Sequence, residues 1–135
     1  MKEQLISFET AKLAKEKGFI PSDGITCKSY LQDGRVGYQT IWDLDLKYTC
    51  LEDHIIAVTQ SLLQKWLREK YSIYAESRYN ETFNYFEDYV FYNNNYPKPT
   101  CIQKDVHSTY EIGLEFALIE ALNLIDSDLV IDNEG

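Results

Sequence analysis

Cysteine is scarce in this sequence, and its spacing excludes a disulfide-stabilised protein. The three cysteines are odd in number and far apart, at Cys27, Cys50 and Cys101, and the chain has no C-x-x-C motif. A disulfide framework needs paired cysteines at regular spacing, as in small secreted domains. We therefore expect three reduced thiols, most of them buried.

Long apolar runs are also missing. The longest runs, such as Ile55 to Val58, stop at four residues, and Met1 to Ile6 hold no stretch that resembles a signal peptide. A membrane-spanning helix needs about 20 apolar residues, and a signal peptide needs an apolar core of its own. We therefore expect neither export nor a membrane contact, which predicts a cytoplasmic protein.

Basic residues are few relative to acidic ones. Thirteen Lys and Arg stand against 22 Asp and Glu, which gives a formal net charge of −9 at pH 7. Such a charge repels a phosphate backbone, so direct nucleic-acid binding is disfavoured. It favours solubility, and it would also suit a basic protein partner or mimicry of DNA.

Glycine-rich loops are absent as well. The six glycines are scattered along the chain, so none of the common phosphate-binding loops is present. We expect no nucleotide site of the common kinds and no cofactor.

The length of the chain and the order of its patterns predict the fold class. At 135 residues the chain suits one domain over residues 1–135. We expect an α+β fold, with an antiparallel sheet of four or five strands and three helices packed against it. The predicted order is α-β-β-α-β-β-(β)-α, on the premise that sequential strands pair.

Three segments show helical periodicity together with helix end signals. Ser7 and Thr59 are placed to cap the first two helices, Gly18 ends the first, and Ser108-Thr109-Tyr110-Glu111 is typical of a capping box for the third. The predicted helices run from Phe8 to about Lys17, from Gln60 to about Lys70, and from the capping box to about Ile125.

The strand predictions begin with a hairpin whose turn is Asp33-Gly34, because that pair supplies the positive φ angles of a tight turn. Further strands follow the second helix, rich in Tyr and Phe, with a turn at Arg78 to Glu81. The predicted strands are Ile25 to Leu31, Val36 to Trp42 with an extension to Lys47, Ser72 to Ser77, Thr82 to Tyr92, and a short edge strand within Thr100 to Val106.

The last helix is apolar on two sides. One stripe must face the core: Tyr110, Leu114, Ala117, Leu118, Ala121, Leu122 and Ile125. Ile112, Phe116 and Ile119 cluster on the far side, where a surface helix should be polar. We expect either the tail Leu129 to Ile131 or a second copy of the chain to cover these three residues.

Tyrosine is the most unusual component. The chain has eleven tyrosines, and seven of them lie between Tyr71 and Tyr96. Amphipathic rings are favoured at protein interfaces, although aromatic residues also suit antiparallel strands. We take Tyr85, Tyr89 and Tyr92, with Ile112, Phe116 and Ile119 of the last helix, as the candidate interaction surface.

Clustered acids and histidines raise the question of a metal site. Two strand carboxylates that share one face could contribute to such a site, but outward carboxylates on an edge strand more often serve solubility. We assign no metal ligand. The residues weighed are Asp43, Asp45, Glu52, Asp53, His54, Asp105 and His107.

Two patterns in the sequence resemble catalytic sites. Asp33 followed by Asp45-Leu46-Lys47 loosely resembles the acid and acid-x-Lys pattern of metal-dependent nucleases, but acid-x-Lys pairs arise by chance in a chain with so many acids. A cysteine could pair with His54 or His107, yet no nucleophile elbow or glycine-rich oxyanion turn surrounds any cysteine. We assign no catalytic residue.

Three stretches together resemble a group of small proteins encoded by phages and prophages of Bacteroides-like gut bacteria. The run Thr59-Gln60-Ser61-Leu62-Leu63-Gln64-Lys65-Trp66-Leu67-Arg68-Glu69 is the specific part. The other two are Ile6 to Leu13 through Gly18-Phe19, and Tyr110 to Glu115 through Ala121 to Ile125. The resemblance covers the order of elements along most of the chain. It implies a phage-related, intracellular origin and carries no catalytic residue.

The acidic charge, the tyrosine-rich region and the resemblance lead to one main expectation. It is a non-enzymatic, protein-binding accessory factor of phage or prophage origin, acting on a protein partner or through self-association as a homodimer. Two alternatives stay open: an acidic DNA mimic that inhibits a basic nucleic-acid-binding protein, and a metal-dependent hydrolase.

Overall fold

The computed structural model describes residues 4–21, 27–41, 54–92 and 100–125. These residues include three helices and two antiparallel sheets, which confirms the α+β class. The predicted elements follow one another in the expected order, with one additional strand before the second helix and one short additional strand before the third. The chain divides into two compact units, Met1–Leu62 and Leu63–Gly135. The single domain over residues 1–135 stays a prediction.

The first unit combines one helix with a three-stranded antiparallel sheet of order β2-β1-β3. Its elements are α1 (Phe8–Glu16), β1 (Cys27–Leu31), β2 (Val36–Ile41) and β3 (His54–Ala57). The Ser7 hydroxyl accepts a hydrogen bond from the Thr10 N–H at 3.2 Å, so the predicted cap of α1 is confirmed. Small residues on the inner side of α1, Ala11 and Ala14, are buried, and α1 packs against β3.

The turn between β1 and β2 departs from the prediction in one respect. Gly34 has a φ of +94°, but Asp33 does not have a positive φ, so glycine alone supplies the left-handed conformation. The Asp33 carboxylate instead accepts hydrogen bonds from the Arg35 backbone N–H and Nε. The hydrogen bond from the Arg35 backbone N–H is the main cause that lowers the pKa of Asp33. The Arg35 side chain lowers this pKa further, by a smaller amount.

Strand β3 was not predicted from the sequence. Ile55, Ile56 and Ala57 are all buried, so the strand shows no alternation of polar and apolar residues. β3 pairs antiparallel with β1, with Ser29 opposite Ile56. The predicted extension from Trp42 to Lys47 lies outside the described residues.

The chain continues through α2 (Gln60–Tyr71), whose N-terminal Leu62 N–H donates to the Thr59 hydroxyl at 3.2 Å, as predicted. The second unit then contains a four-stranded antiparallel sheet of order β4-β5-β6, with β7 also paired to β5, and one further helix. These elements are β4 (Tyr74–Asn80), β5 (Tyr85–Tyr92), β6 (Thr100–Ile102), β7 (Val106–His107) and α3 (Tyr110–Leu124).

The predicted turn at Arg78 to Glu81 is wrong, because the turn occupies residues 81–84 and β4 runs on to Asn80. The Asn80 side-chain oxygen accepts hydrogen bonds from the N–H groups of Thr82 and Phe83, and Asn84 has a φ of +59°. Asparagine favours both roles, since its short amide bonds to nearby backbone and tolerates the left-handed region. Ser72, predicted in the strand, has a φ of +55° just after α2.

Helix α3 begins one residue later than the capping box predicts. Thr109, and not Ser108, is the N-cap, and its hydroxyl accepts from the Ile112 N–H at 3.1 Å. Leu114, Leu118 and Leu122 of the predicted stripe are buried. Tyr110 is 43% exposed, so its assignment to the core is wrong.

Gly113 allows α3 to approach β4 closely. A Cβ atom at Gly113 would lie 2.5 Å from the Ser77 hydroxyl oxygen, which is shorter than any van der Waals contact. That hydroxyl is buried without a hydrogen-bond partner in the described structure. α3 therefore packs on the face of the second sheet that contains Ser77.

No helix among the described residues is long and apolar enough to cross a bilayer.

Because Gly113 and Ser77 are in contact, the effect of Gly113→Ala on stability should reverse its sign when Ser77 is also replaced. Gly113→Ala alone should destabilise the protein by about 1–2 kcal/mol, because the overlap outweighs the helical preference of alanine. In a Ser77→Ala background the same change should be neutral or stabilising by up to about 1 kcal/mol. Urea unfolding of the four proteins measures both values, and equal effects in the two backgrounds would contradict the close approach.

Candidate interaction surface

The second sheet has two faces of different character. Its inner face, towards α3, contains the half-buried Ser77 and the buried residues Ala75, Asp88 and Val90. Alternation along the strands places another set of side chains on the opposite side, which we call the outer face. The outer face consists of Tyr74, Glu76 and Arg78 of β4 and Tyr85, Glu87, Tyr89 and Phe91 of β5, all of them exposed or half-buried.

A stack of aromatic rings and one guanidinium group occupies the centre of the outer face. The rings of Tyr89 and Phe91 lie nearly parallel, with their centroids 6.0 Å apart and 12° between their planes. The Arg78 guanidinium lies over both rings, 5.1 Å from the Tyr89 centroid and 4.9 Å from the Phe91 centroid. The cation and the ring faces attract each other, which stabilises this arrangement.

Hydrogen bonds hold this stack in place. Arg78 Nε donates to Glu76 at 2.8 Å, and the Tyr89 hydroxyl donates to Glu87 at 3.0 Å. Asn80 also donates to Glu87, at 2.8 Å. The hydrogen bond to Glu87 raises the pKa of Tyr89, so the phenol keeps its proton throughout the physiological range. Hydrogen bonds within the sheet therefore fix the positions of Arg78 and Tyr89 on the outer face.

The tip of the β4-β5 hairpin extends the aromatic surface. Phe83 lies in the turn and is exposed, and its ring stacks on that of Tyr85 with centroids 5.8 Å apart. Sequence reasoning did not identify Phe83. A large apolar residue inside a polar turn is the signal that could have found it, since turns favour Gly, Asn and Asp.

The structure brings together only part of the predicted surface. Tyr85 and Tyr89 share the outer face, but Tyr92 is 5% exposed and belongs to the core. The assignment of Tyr92 to the surface is wrong, because three residues after Tyr89 is an odd step along a strand and reverses the face. Burial along β5 follows this alternation closely, with Asp88, Val90 and Tyr92 buried.

The residues predicted on the last helix lie elsewhere in the unit. Ile112 and Phe116 are 44% and 48% exposed, and Ile119 is half-buried. They belong to the helix that covers the inner face, so they do not join Tyr85 and Tyr89 in one surface. The tail Leu129 to Ile131, expected to cover them, lies outside the described residues.

One side of the Phe116 ring is occupied by a buried polar pair. The Phe116 and His107 ring centroids are 4.6 Å apart. His107 Nε2 and Asp88 Oδ1 are 3.0 Å apart, and the Asp105 backbone N–H donates to the same carboxylate oxygen at 3.0 Å. This hydrogen bonding joins β7 and the segment before it to the centre of β5. His107 thus has a structural partner in Asp88.

The other candidate residues do not converge in the described part of the chain. Asp33 lies in the exposed turn beside Arg35, and His54 lies in β3. Among residues 4–21, 27–41, 54–92 and 100–125, no group of three or more His, Cys, Asp or Glu side chains could hold a metal ion. The remaining candidates lie outside these ranges: Asp43, Asp45, Lys47, Cys50, Glu52 and Asp53.

The two described cysteines differ in environment. Cys27 is buried as expected, and burial raises the pKa of its thiol to about 11. Cys101 is exposed. Cys50 lies outside the described residues, so the expectation that most of the three thiols are buried stays a prediction. The Cys101 backbone lies opposite Phe91 in the β5-β6 pair, near the edge of the sheet.

Comparisons with known proteins yield no match to a protein-family model, to a curated protein or to a solved structure.

The Asp88 carboxylate should be a major contributor to stability. Asp88→Leu should lower the free energy of unfolding by about 3 kcal/mol, because His107 and the Asp105 N–H lose their common hydrogen-bond partner in a buried site. Glu87→Leu is the matched control on the same strand and should cost less than about 1 kcal/mol, since its hydrogen bonds lie on the solvent side. Equal shifts of the urea midpoint in the two variants would contradict the role of Asp88.

The cysteines should differ in their reaction with a thiol reagent. At pH 8 a thiol with a pKa of about 11 has about one thiolate in a thousand molecules, and burial also blocks access to Cys27. Cys101 should therefore be alkylated at least about tenfold faster than Cys27 in the native protein, and the two rates should converge in urea. Peptide mass mapping measures both rates, and equal native rates would refute the difference in burial.

Proposed function

We propose that this chain is a non-enzymatic, protein-binding accessory factor of phage or prophage origin, and that it contacts its partner through the outer face of the second sheet. The observation that carries the proposal is the Arg78 guanidinium stacked over Tyr89 and Phe91. The phage or prophage origin rests on the sequence resemblance alone.

The composition of the outer face supports a protein partner. Tyrosine and arginine are enriched among the residues that contribute most to protein–protein affinity. Arg78 and Tyr89 are already held by Glu76 and Glu87, so binding would cost little additional side-chain entropy. The exposed ring of Phe83 at the hairpin tip would add apolar area to the contact.

The charges of the outer face argue against a single-stranded nucleic acid as the ligand. Nucleic-acid platforms also present stacked aromatic rings on a sheet, but they surround them with basic residues that follow the phosphates. Here the cation of Arg78 forms an ion pair with Glu76 and has Glu87 opposite it on β5, on a chain of net charge −9. A protein surface with basic side chains fits this pattern better than phosphates do.

Arg78 and Tyr89 provide the test. The bait proteins are the wild type, Arg78→Ala, Tyr89→Ala and the control Tyr110→Ala, which removes an exposed tyrosine from α3. Affinity enrichment from a lysate of a Bacteroides-like gut bacterium should yield a protein that the wild type and the control retain and the outer-face variants lose. With that protein purified, each outer-face substitution should weaken binding about 30-fold in calorimetry.

Two outcomes would contradict the proposal. One is that all four baits retain the same proteins equally, provided that circular dichroism shows them folded. The other is a chain that is dimeric by light scattering and that Tyr89→Ala converts to a monomer, because the outer face would then bind a second copy instead of a partner.

A further inference from the structure

Three aromatic side chains meet at the hairpin end of the inner face of the second sheet, and we call them the aromatic cluster. They are Tyr79 of β4, Phe86 of β5 and Tyr110 of α3. Tyr79 and Phe86 are directly opposite each other in the β4-β5 pair, with ring centroids 5.1 Å apart. The ring centroids of Phe86 and Tyr110 are 6.3 Å apart. Phe86 is half-buried, whereas Tyr79 is 49% exposed and Tyr110 is 43% exposed.

The close approach of α3 to the sheet explains where the cluster forms. Gly113 lies against Ser77, which precedes Tyr79 by two positions and so shares its face of β4. Tyr110 is three residues before Gly113, so it lies on the same side of α3 and one turn closer to its beginning. The helix therefore starts beside the row formed by Tyr79 and Phe86, and it leaves the Tyr79 ring exposed to solvent.

The three rings are inclined to one another. The plane of the Phe86 ring makes an angle of 55° with that of Tyr79 and of 79° with that of Tyr110. The Tyr79 hydroxyl donates a hydrogen bond to the Asn84 side-chain oxygen, which fixes the orientation of its ring. Inclined rings can direct more than one face towards the same ligand.

The faces of aromatic rings attract cations, because the π electrons carry a partial negative charge. In the described part of the chain the cations of the protein itself lie over other rings, as Arg78 does over Tyr89 and Phe91. The ring faces of the aromatic cluster are therefore available to a cation from outside. The net charge of −9 favours the approach of a cation over that of an anion.

We propose that the aromatic cluster binds a quaternary ammonium group, of the kind that choline carries. A primary ammonium group is strongly hydrated, and ring faces offer it no strong hydrogen-bond acceptor in exchange for water. A trimethylammonium group has no N–H to satisfy, so its methyl groups can pack on the rings while their faces attract its charge. The cluster lies on the inner side of the sheet, and the proposal is therefore independent of the partner contact at the outer face.

Choline is the probe, and 3,3-dimethyl-1-butanol is its uncharged counterpart, with a carbon atom in place of the nitrogen. Titrated into the ¹⁵N-labelled full chain at constant ionic strength, choline should shift the amide signals of Tyr79, Phe86 and Tyr110 in a saturable manner. The expected Kd is on the order of millimolar. The alcohol should bind about fivefold more weakly, because it lacks the attraction between cation and ring.

Substitutions of Tyr110 separate the effect of its ring from that of apolar bulk. Tyr110→Leu should weaken choline binding about fivefold and leave the binding of the alcohol unchanged, whereas Tyr110→Phe keeps the ring and should retain the affinity for choline. Tyr110 is exposed, so both variants should fold, which circular dichroism checks. Tyr74→Leu is the matched control, because it removes a tyrosine that is 45% exposed from the outer face and should leave choline binding unchanged.

The trimethylammonium group occurs in free choline-type compounds and in lipid headgroups, and phosphatidylcholine vesicles distinguish these two sources. Sedimentation of the wild type with the vesicles, lost in Tyr110→Leu, would support a headgroup as the ligand. Choline binding without sedimentation would support a free compound.

Four outcomes would overturn the proposal, and the first two need no variant. The wild type shows no saturable shift of the cluster signals by about 50 mM choline, or the alcohol binds it as tightly as choline does. Tyr110→Phe weakens choline binding as much as Tyr110→Leu does, or Tyr74→Leu weakens it to the same extent.

Discussion

The second unit depends on one buried carboxylate. Asp88 is only 2% exposed, at the centre of β5, and a polar group in such a place requires hydrogen-bond partners. Its partners are the Asp105 backbone N–H and the His107 ring, which come from the segment that leads into α3. This interaction places β7 beside β5. The chain then enters α3 at the Thr109 cap, so the helix begins where it can cover the inner face of the sheet.

The character of the outer face follows from this arrangement. Because α3 occupies the inner face, the small and apolar residues of β4 and β5 point to that side, as Ala75 and Val90 do. The alternate positions are then left to side chains that combine apolar bulk with polar tips, among them Tyr89 and Arg78. Strand propensity accounts for aromatic residues at these positions, but it does not specify that the Arg78 guanidinium lies over two of their rings.

Local signals in the sequence predicted the helices well, whereas contacts between residues that are distant in sequence were not predicted. Ser7 and Thr59 act within three residues of themselves, so the sequence alone was sufficient for both caps. β3 has no polar alternation, and nothing in a run of four apolar residues separates a buried strand from a short helix. Asp88 and His107 are 19 positions apart, and only the pairing of β5 with β7 brings them together. Tyr92 was assigned to the wrong face because a tyrosine-rich composition predicts a strand but does not show which side chains point to which face of the sheet.

The proposed partner contact places Arg78 beside aromatic surface on a chain of net charge −9. Exposed charges more than about 8–10 Å apart are largely screened at physiological ionic strength. The net charge therefore acts mainly against extended polyanions, whose many phosphates would approach acidic side chains over a large area. A protein partner at Arg78 would instead meet Glu76 and Glu87 directly, so the local pattern of charge, and not the total charge, would determine which partner the outer face accepts.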